Sequence, residues 1–396
     1  MLLPRGSPLR GHMPENAYPV DFFRHLPVCV TILRMVFRKL ISFKAGAALL
    51  LCTVAGAFAA WVSVPLPWMI GPLFAMALAA ASGWELKAPP LAREGGQLAI
   101  ACSLGLYFTP PTVALISQYG WAILAAGLGS LFIGVLCAAV LRRVYRQTPL
   151  DAPTALYACI PGGASEMAVL AERYGGRVDQ VAVAQSFRIL LVVSSVPFVF
   201  TWLDVHGMDQ FATTATKTNV GGLLLLFGVA ISGGVLFKQF GMPNAFMFGS
   251  LFAAIALTYF APLWSPAAAS VGIAPSAMPR WLANTGQVLL GCSLGAKFTR
   301  DFFRSAPRFL AALALVFALA LVVSALFGWA ISAMSGIHWA TAILATAPGG
   351  IAEMSLTAKV LQLGVPVVTA FHVMRLVILV SLSAPLYRLL YRKLET

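Results

Sequence analysis

Two glutamates in this 396-residue chain lie within long apolar stretches, where an ionised carboxylate is costly. Glu166 and Glu353 each come shortly after a Pro-Gly-Gly tripeptide, at the same spacing. An acidic side chain at membrane depth costs about 2.5–3.5 kcal/mol, so it usually has a functional reason. A proton or cation site is one interpretation. The other is a carboxylate that caps the N-terminus of its own helix, and the two interpretations are compatible.

Two arginines lie equally deep in apolar sequence, and each follows one of the glutamates at the same spacing. These are Arg188 and Arg375. A buried arginine needs a partner, and the glutamate of the same half of the chain is one candidate. The alternative is that the guanidinium binds an anionic substrate through two parallel hydrogen bonds. The role could differ between the halves, since Gln185 near the first arginine is matched by His372 near the second.

Small and polar residues near these charges complete the set of candidate binding residues. The four glycines of the two tripeptides allow the chain to reverse and a ligand to approach the backbone. The glutamines and serines either permit close helix packing or line a cavity between the two breaks. The residues are Gly162, Gly163, Gly349, Gly350, Gln97, Gln287, Ser103 and Ser293.

The composition predicts that membrane-spanning helices hold these residues in place. Of the chain, 60% is hydrophobic and 10% is charged, whereas soluble domains carry about 25% charged residues. The mean hydropathy is +0.86. Because about 20 apolar residues suffice to cross a bilayer, the length is enough for many crossings. We therefore expect an all-α polytopic membrane protein.

The excess of positive charge fits the same class. The net charge of +14 comes from 27 Lys and Arg against 13 Asp and Glu. Most of the cations form short clusters between apolar runs, which is typical of cytoplasmic loops, so we expect no direct contact with nucleic acid. Neither the five histidines nor the six cysteines have the spacing of a metal site, and no catalytic motif occurs. The sequence therefore predicts no enzymatic activity and no cofactor, other than a coupling ion such as H⁺ or Na⁺.

The apolar segments form two sets of six, and the second set repeats motifs of the first. The motif G-Q-x4-C-S-L-G begins at Gly96 and recurs from Gly286. The motif P-G-G-x-x-E-M begins at Pro161 and recurs from Pro348, and the two arginines repeat in register with it. We therefore divide the chain into an N-terminal extension with little order and two membrane repeats. Their predicted bounds are 1–39, 40–210 and 211–396.

The basic loops predict that the two repeats are inverted. The loop after the fourth segment is basic at 142–146 and uncharged at 334–338. After the third segment the bias is reversed, since 109–118 lacks Lys and Arg whereas 297–308 has four. Inversion requires an odd number of crossings per repeat, and the Pro-Gly-Gly break selects the fifth segment as the one that does not cross. We expect about 10 transmembrane helices, two re-entrant or broken elements, and both termini in the cytoplasm.

The duplicated unit resembles a known family. With G-Q-x4-C-S-L-G, P-G-G-x-x-E-M and the arginine that follows, it is similar to the AbrB family of bacterial membrane proteins over residues 40–392. The resemblance implies the bacterial inner membrane and two labels, ammonia monooxygenase and AbrB-type regulator of gene expression. The first requires metal ligands and the second a DNA-binding module, and the sequence has neither. A regulatory effect could arise indirectly, through transport or sensing.

Paired breaks with buried charges favour a secondary transporter of a small organic or anionic solute. The glutamates would take H⁺ or Na⁺, and the arginines the solute or an ion pair. The first alternative is a membrane sensor that affects gene expression indirectly, and the second is a membrane monooxygenase. The expected partners are the lipid bilayer and a small-molecule solute, and self-association into a homo-oligomer is left open.

Overall fold

The computed structural model describes residues 43–145, 150–205, 207, 211, 213, 215, 217–268, 270, 272–298, 302 and 307–391. Within these residues the regular elements are sixteen α-helices. The predicted extension at 1–39 and the last basic residues, Arg392 and Lys393, lie outside the described part. The all-α class expected from the composition is confirmed.

The helices follow one another with short connections. The first eight are α1 (Phe43–Trp61), α2 (Pro67–Ala81), α3 (Ala92–Gly105), α4 (Pro110–Gln118), α5 (Gly120–Val144), α6 (Ala152–Cys159), α7 (Ala164–Arg173) and α8 (Val178–Trp202). The second eight are α9 (Val220–Gln239), α10 (Ala245–Tyr259), α11 (Ala261–Ala268), α12 (Arg280–Gly295), α13 (Pro307–Ser335), α14 (Trp339–Thr346), α15 (Ile351–Val360) and α16 (Val365–Tyr391).

Local sequence signals explain several of the helix ends. Proline lies in the first turn of α2, α4 and α6, where its missing N–H has no partner to lose. The side chain of Asn219 accepts a hydrogen bond from the N–H of Gly222 at 2.7 Å and so caps α9. Gly175, just after α7, has a φ of 73°, the left-handed conformation that commonly ends a helix.

The helices pack as two groups. The first helix group contains α1–α3, α9, α10 and α12, and the second contains α5–α8 and α13–α16. Each group packs mainly within itself, and the contacts between them run from α3 and α4 to α15 and α16. The first group is held by close backbone approach. A Cβ on Gly96 would lie 2.8 Å from the carbonyl oxygen of Gly286, where α3 crosses α12.

The outer surface of the bundle is apolar, as in a lipid-facing protein. Among side chains in the middle of long helices, Phe132 is 68% exposed and Leu224 is 69% exposed. Exposed apolar side chains on this scale are rare in water, and helices satisfy their backbone groups internally in lipid. The protein is therefore a multi-span membrane protein.

The length of the helices accounts for fewer crossings than the ten predicted. In the described residues, six helices are long and apolar enough to cross a membrane, or up to eight if two bent pairs each count as one span. The bent pairs are α3 with α4, at 88°, and α10 with α11, at 70°. The expected crossings α2, α3, α10 and α12 have 15, 14, 15 and 16 residues. Each is shorter than the roughly 20 residues of an ordinary crossing.

The two Pro-Gly-Gly tripeptides interrupt helical pairs in the second group. The eight-residue α6 is followed by the ten-residue α7, and the eight-residue α14 by the ten-residue α15. Helices α7 and α15 begin at Ala164 and Ile351, the positions expected from the tripeptides. Neither half is long enough to span alone, so the breaks lie inside the protein.

Candidate functional site

Both Pro-Gly-Gly breaks line one cavity of about 100 Å³ between the two helix groups. The glycines that precede α7 and α15, Gly163 and Gly350, have extended backbones with φ of −68° and −86°. No side chain accepts a hydrogen bond from the first turn of either helix in the manner of a cap. The free N–H groups and the positive ends of two helix dipoles therefore lie at the cavity. The lining residues are Arg93, Gln97, Pro161, Gly162, Gly163, Ala164, Arg188, Ile189, Asn244, Met247, Leu290, Leu294, Lys297, Gly349, Gly350, Ile351, Ala352, Glu353, His372, Arg375 and Leu376.

Each glutamate folds back over the start of its own half-helix. A Cβ added to Gly163 would collide with Oε2 of Glu166, and one added to Gly350 would collide with Oε2 of Glu353. This position is the one expected of a carboxylate near a helix N-terminus. The two differ in their surroundings, because Glu353 is 6% exposed whereas Glu166 is half-buried. The Oε2 atom of Glu166 has no hydrogen-bond partner among the described residues.

The arginines bind backbone oxygens of the breaks. Arg188 donates to the carbonyl of Ile160 at 3.2 Å and to that of Gly162 at 3.3 Å. Arg375 makes the equivalent pair of hydrogen bonds, to the carbonyls of Ala347 and Gly349. These oxygens belong to the end of a short helix and to the break, where the chain supplies no N–H partner. Each guanidinium thus joins the two sides of its own break.

The hydrogen-bonded ion pair with the glutamate of the same half, one of two alternatives for these arginines, is absent from the described part of the chain. The ion pairs recorded there join Lys44 to Glu85 and Lys238 to Glu94. Instead, Glu353 of the second break and Arg188 of the first attract each other electrostatically. The Nε atoms of both arginines are buried and lack a hydrogen-bond partner in the described residues.

A second polar residue supports each break from the helix that carries the arginine. Gln185 donates from Nε2 to the carbonyls of Tyr157 and Ile160 at 2.7 and 2.9 Å. His372 contacts the carbonyl of Leu344 through Nε2 at 3.2 Å. Tyr157 and Leu344 occupy the same position relative to the two tripeptides. The glutamine and the histidine therefore serve equivalent carbonyls with different chemistry.

Three cavity residues in the first helix group were not among the predicted site residues. Arg93 donates to Oδ1 of Asn244 at 2.8 Å, and Gln97 donates to the same oxygen at 3.4 Å. Lys297 also lines the cavity, near enough to Arg93 and Glu353 for electrostatic interaction. The signal for Lys297 is its position just after the second C-S-L-G motif, but a lysine there fits a basic cytoplasmic loop equally well.

The cavity carries an excess of positive charge. Its lining contains four basic side chains against one carboxylate, that of Glu353. The basic residues are Arg93, Arg188, Lys297 and Arg375. Together with two helix N-termini, they make a site that favours an anion.

Three of the predicted polar residues lie away from the cavity lining. Ser293 donates to the carbonyl of Leu290 in its own helix at 2.9 Å, and Gln287 is buried on α12. Ser103 accepts a hydrogen bond from Nζ of Lys359 at 2.7 Å. The small residues beside them fit the packing interpretation, because a Cβ on Gly286 would lie 2.6 Å from Cβ of Ala99. Of the predicted glutamines and serines, only Gln97 lines the cavity.

In the described residues, no group of three or more His, Cys, Asp or Glu side chains could hold a metal ion. Five cysteines, Cys52, Cys102, Cys137, Cys159 and Cys292, are buried and free.

Comparison with known proteins gives the relationship of the chain. It is 26% identical over 359 residues to "Uncharacterized protein YhjN" of Bacillus subtilis (strain 168), an alignment that covers 83% of this chain and 88% of that protein. It is 24% identical over 320 residues to "Putative regulator AbrB" of Escherichia coli (strain K12), covering 80% and 87%. The family described as "Transition state regulatory protein AbrB" matches residues 68–391. This match spans most of the sequence, and the chain therefore belongs to the AbrB family of membrane proteins.

Proposed function

We propose that this protein is a secondary transporter of a small anion, coupled to H⁺ or Na⁺. The observation that carries the proposal is the cavity in which two broken helices meet four basic side chains and one buried carboxylate. Irregular backbone at membrane depth is tolerated where it lines a polar cavity, and paired breaks mark substrate sites in transporters. The solute would bind between the two arginines, and the two glutamates would take the coupling ion. The proposal includes no catalytic step.

The two halves would be inverted copies of one unit. Leu66 and Asn244 each precede a Met-x-Gly-x-Leu-Phe-Ala motif at the same spacing. Both have a left-handed backbone, with φ of 51° and 48°. A non-glycine residue rarely adopts this conformation, so its recurrence before α2 and α10 supports a duplicated fold. The equivalent arginines also donate to equivalent carbonyls.

We further propose ten crossings with the basic loops on the cytoplasmic side of the inner membrane and both termini there. Contacts between chain ends support this arrangement. Tyr145 at the end of α5 packs against Phe309 at the start of α13, with ring centroids 5.4 Å apart. Arg388 near the C-terminus donates to the hydroxyl of Tyr174 after α7. Four basic regions thus meet at one end of the second helix group, as the positive-inside rule requires.

The short lengths of α2, α3, α10 and α12 are compatible with ten crossings. These helices pack against one another at the centre of the first group, and the cavity enters beside them. A short helix can cross where the membrane thins or where polar loops and cavities reach inward. We therefore retain the ten-crossing topology as a proposal.

Uptake into proteoliposomes tests the transport function. We expect an imposed proton or sodium gradient to drive uptake of a small carboxylate or inorganic anion from a labelled panel. Glu353→Gln with Glu166→Gln should remove the dependence on the gradient, whereas Glu85→Gln should leave it unchanged, because Glu85 is exposed and pairs with Lys44 outside the cavity. No flux for any anion, or no effect of the double substitution, would count against the proposal.

A membrane sensor is the second candidate, favoured by the description of the matching family as regulatory. A sensor would need the cavity to bind its ligand but would need no flux. Saturable binding of an anion to the detergent-purified protein, abolished by Arg188→Met and accompanied by no uptake, would favour the sensor. Binding together with gradient-driven uptake would favour the transporter.

A further inference from the structure

Lys359 joins the two helix groups on one side of the cavity. It lies in the last turn of α15, and its Nζ donates to Oγ of Ser103 in α3 at 2.7 Å. The same Nζ lies 5.9 Å from the ring centroid of Tyr107. Ser103 and Tyr107 are 2% and 8% exposed, so the contact is covered. We call these three residues the Lys359 cluster.

The other half of the chain contains the equivalent residues, with different chemistry. Lys359 corresponds to Glu172 when the two Pro-Gly-Gly tripeptides are aligned. Ser103 and Tyr107 correspond to Ser293 and Lys297 when the two C-S-L-G motifs are aligned. We call Glu172, Ser293 and Lys297 the Glu172 cluster. It places an acidic side chain on α7 opposite a basic side chain after α12.

In the structure the Glu172 cluster is open. Glu172 is exposed to solvent, and Ser293 donates within its own helix to Leu290. Lys297 lines the cavity and has no hydrogen-bond partner among the described residues. The two helices differ in the same sense, because residues 351–358 of α15 are all buried whereas α7 has only Met167 and Ala171 buried. One half-helix is packed against the first group, and its counterpart is not.

We propose that the two clusters are alternating gates of the cavity, an inference that rests on the proposed transport function. In the state described, the Lys359 cluster closes one side. In the opposite state it separates, α7 moves against α12, and Glu172 pairs with Lys297 beside Ser293. Inverted repeats exchange conformations when a transporter changes the side to which it opens, so each contact in one repeat has a counterpart in the other state.

Charge gives the second gate its specificity. Glu172 and Lys297 carry opposite charges and would approach as α7 is covered, where screening by water falls and the attraction grows. Lys297 has two partners in turn, a bound anion while the cavity is open and Glu172 when that side closes. The first gate needs no acidic partner, because Lys359 meets a hydroxyl and an aromatic ring.

Paired cysteines test the gates in a chain whose six native cysteines have been replaced. A short bifunctional thiol reagent should cross-link Ser103→Cys with Lys359→Cys, and, in a separate variant, Glu172→Cys with Lys297→Cys. Arg173→Cys with Lys297→Cys is the matched control. It should react poorly, because successive residues of a helix differ in direction by about 100°.

A reporter cysteine then reads which side is open. Ile189 lines the cavity and makes no contact in either cluster. Ile189→Cys should label from the α7 side when the 103–359 pair is linked, and from the opposite side when the 172–297 pair is linked. Both links in one molecule, or unchanged labelling after the 172–297 link, would overturn the proposal.

A second measurement avoids the cysteine-free background. The five described native cysteines are buried, so Ile189→Cys labelling can be compared with the same chain lacking the reporter. Glu172→Lys should increase labelling from the α7 side several-fold, because two like charges oppose that closure, and Glu172→Asp should preserve the normal pattern. Equal labelling in both variants would refute the gate.

These readouts need no solute, so the gates and the transport function can fail separately. Alternating labelling without uptake of any anion would support the gates and refute transport. Uptake in a protein whose 172–297 pair never cross-links would support transport and refute the gates.

Discussion

The two buried arginines hold the broken helices together through pairs of backbone carbonyls, so the geometry of the guanidinium matters as well as its charge. Arg188 reaches from α8 to the carbonyls on either side of the first break, and Arg375 does the same from α16. A lysine keeps the charge but offers a compact ammonium in place of a planar fork. Charge and shape can therefore be separated by substitution.

We expect Arg188→Lys and Arg375→Lys each to lower the free energy of unfolding by about 1.5–3 kcal/mol, the value of a hydrogen bond to a charged group. Anion uptake should fall more than in Arg173→Lys, a control on the exposed surface of α7. Thermal unfolding in detergent and initial uptake rates measure the two effects. Wild-type stability in both lysine variants would mean that the carbonyl contacts contribute little.

The glycine before each half-helix leaves room for the glutamate carboxylate. Gly350→Ala would place a methyl group on Oε2 of Glu353, which has no free space because it is 6% exposed. We expect uptake to fall about tenfold, equivalent to about 1.4 kcal/mol. Gly163→Ala should have a smaller effect, since Glu166 is half-buried and can move.

Gly46→Ala is the control for these glycine substitutions, because nothing lies within 4 Å of its added Cβ and the residue is helical. It should leave uptake unchanged and stabilise α1 slightly, by up to about 1 kcal/mol. If Gly163→Ala impaired uptake more than Gly350→Ala, the asymmetry inferred between the glutamates would be wrong.

At the scale of elements, the crossing of α3 and α12 depends on the absence of side chains where their backbones meet. A Cβ on Gly96 would lie 2.8 Å from both the oxygen of Gly286 and the nitrogen of Leu290. Since those atoms belong to a packed helix, they cannot rotate away. The same helices carry Gln97 and Lys297 at the cavity, so their separation sets its width.

Gly96→Ala should therefore destabilise the protein by about 1–3 kcal/mol, the usual cost of overpacking. Gly95→Ala is a matched control one residue away, because its Cβ would meet only Cδ1 of Leu289 at 3.6 Å. Thermal unfolding of the two purified variants measures the difference. Equal stabilities would show that the crossing can adjust without cost.

At the scale of the whole molecule, the arrangement of the two halves predicts which loops share a side of the membrane. The proposed topology places Arg177, Lys238 and Arg308 in the cytoplasm and Gly336 outside. Single cysteines at these positions, in a cysteine-free chain, should react with a membrane-impermeant thiol reagent from the corresponding side. Labelling of Arg177→Cys and Arg308→Cys from opposite sides would refute the inverted topology.

The local features of this protein follow from its sequence. The composition determines that it is a helical membrane protein, because so few charged residues cannot cover a soluble surface. The tripeptides determine where α6 and α14 stop, because proline lacks an N–H and two glycines favour an extended chain. The repeated motifs likewise identify the family. Each of these properties depends on residues that are neighbours along the chain.

Only the tertiary structure decided what surrounds the buried charges. Arg93 and Asn244 are far apart in sequence and meet because α3 packs on α10, which no local pattern encodes. The sequence suggested carboxylates as partners for the arginines, yet packing brought backbone carbonyls of the breaks within reach first. The same packing put Ser103 against Lys359 rather than at the cavity. Helix periodicity fixes which face of a helix a residue occupies, but the element that covers that face depends on contacts distant in sequence.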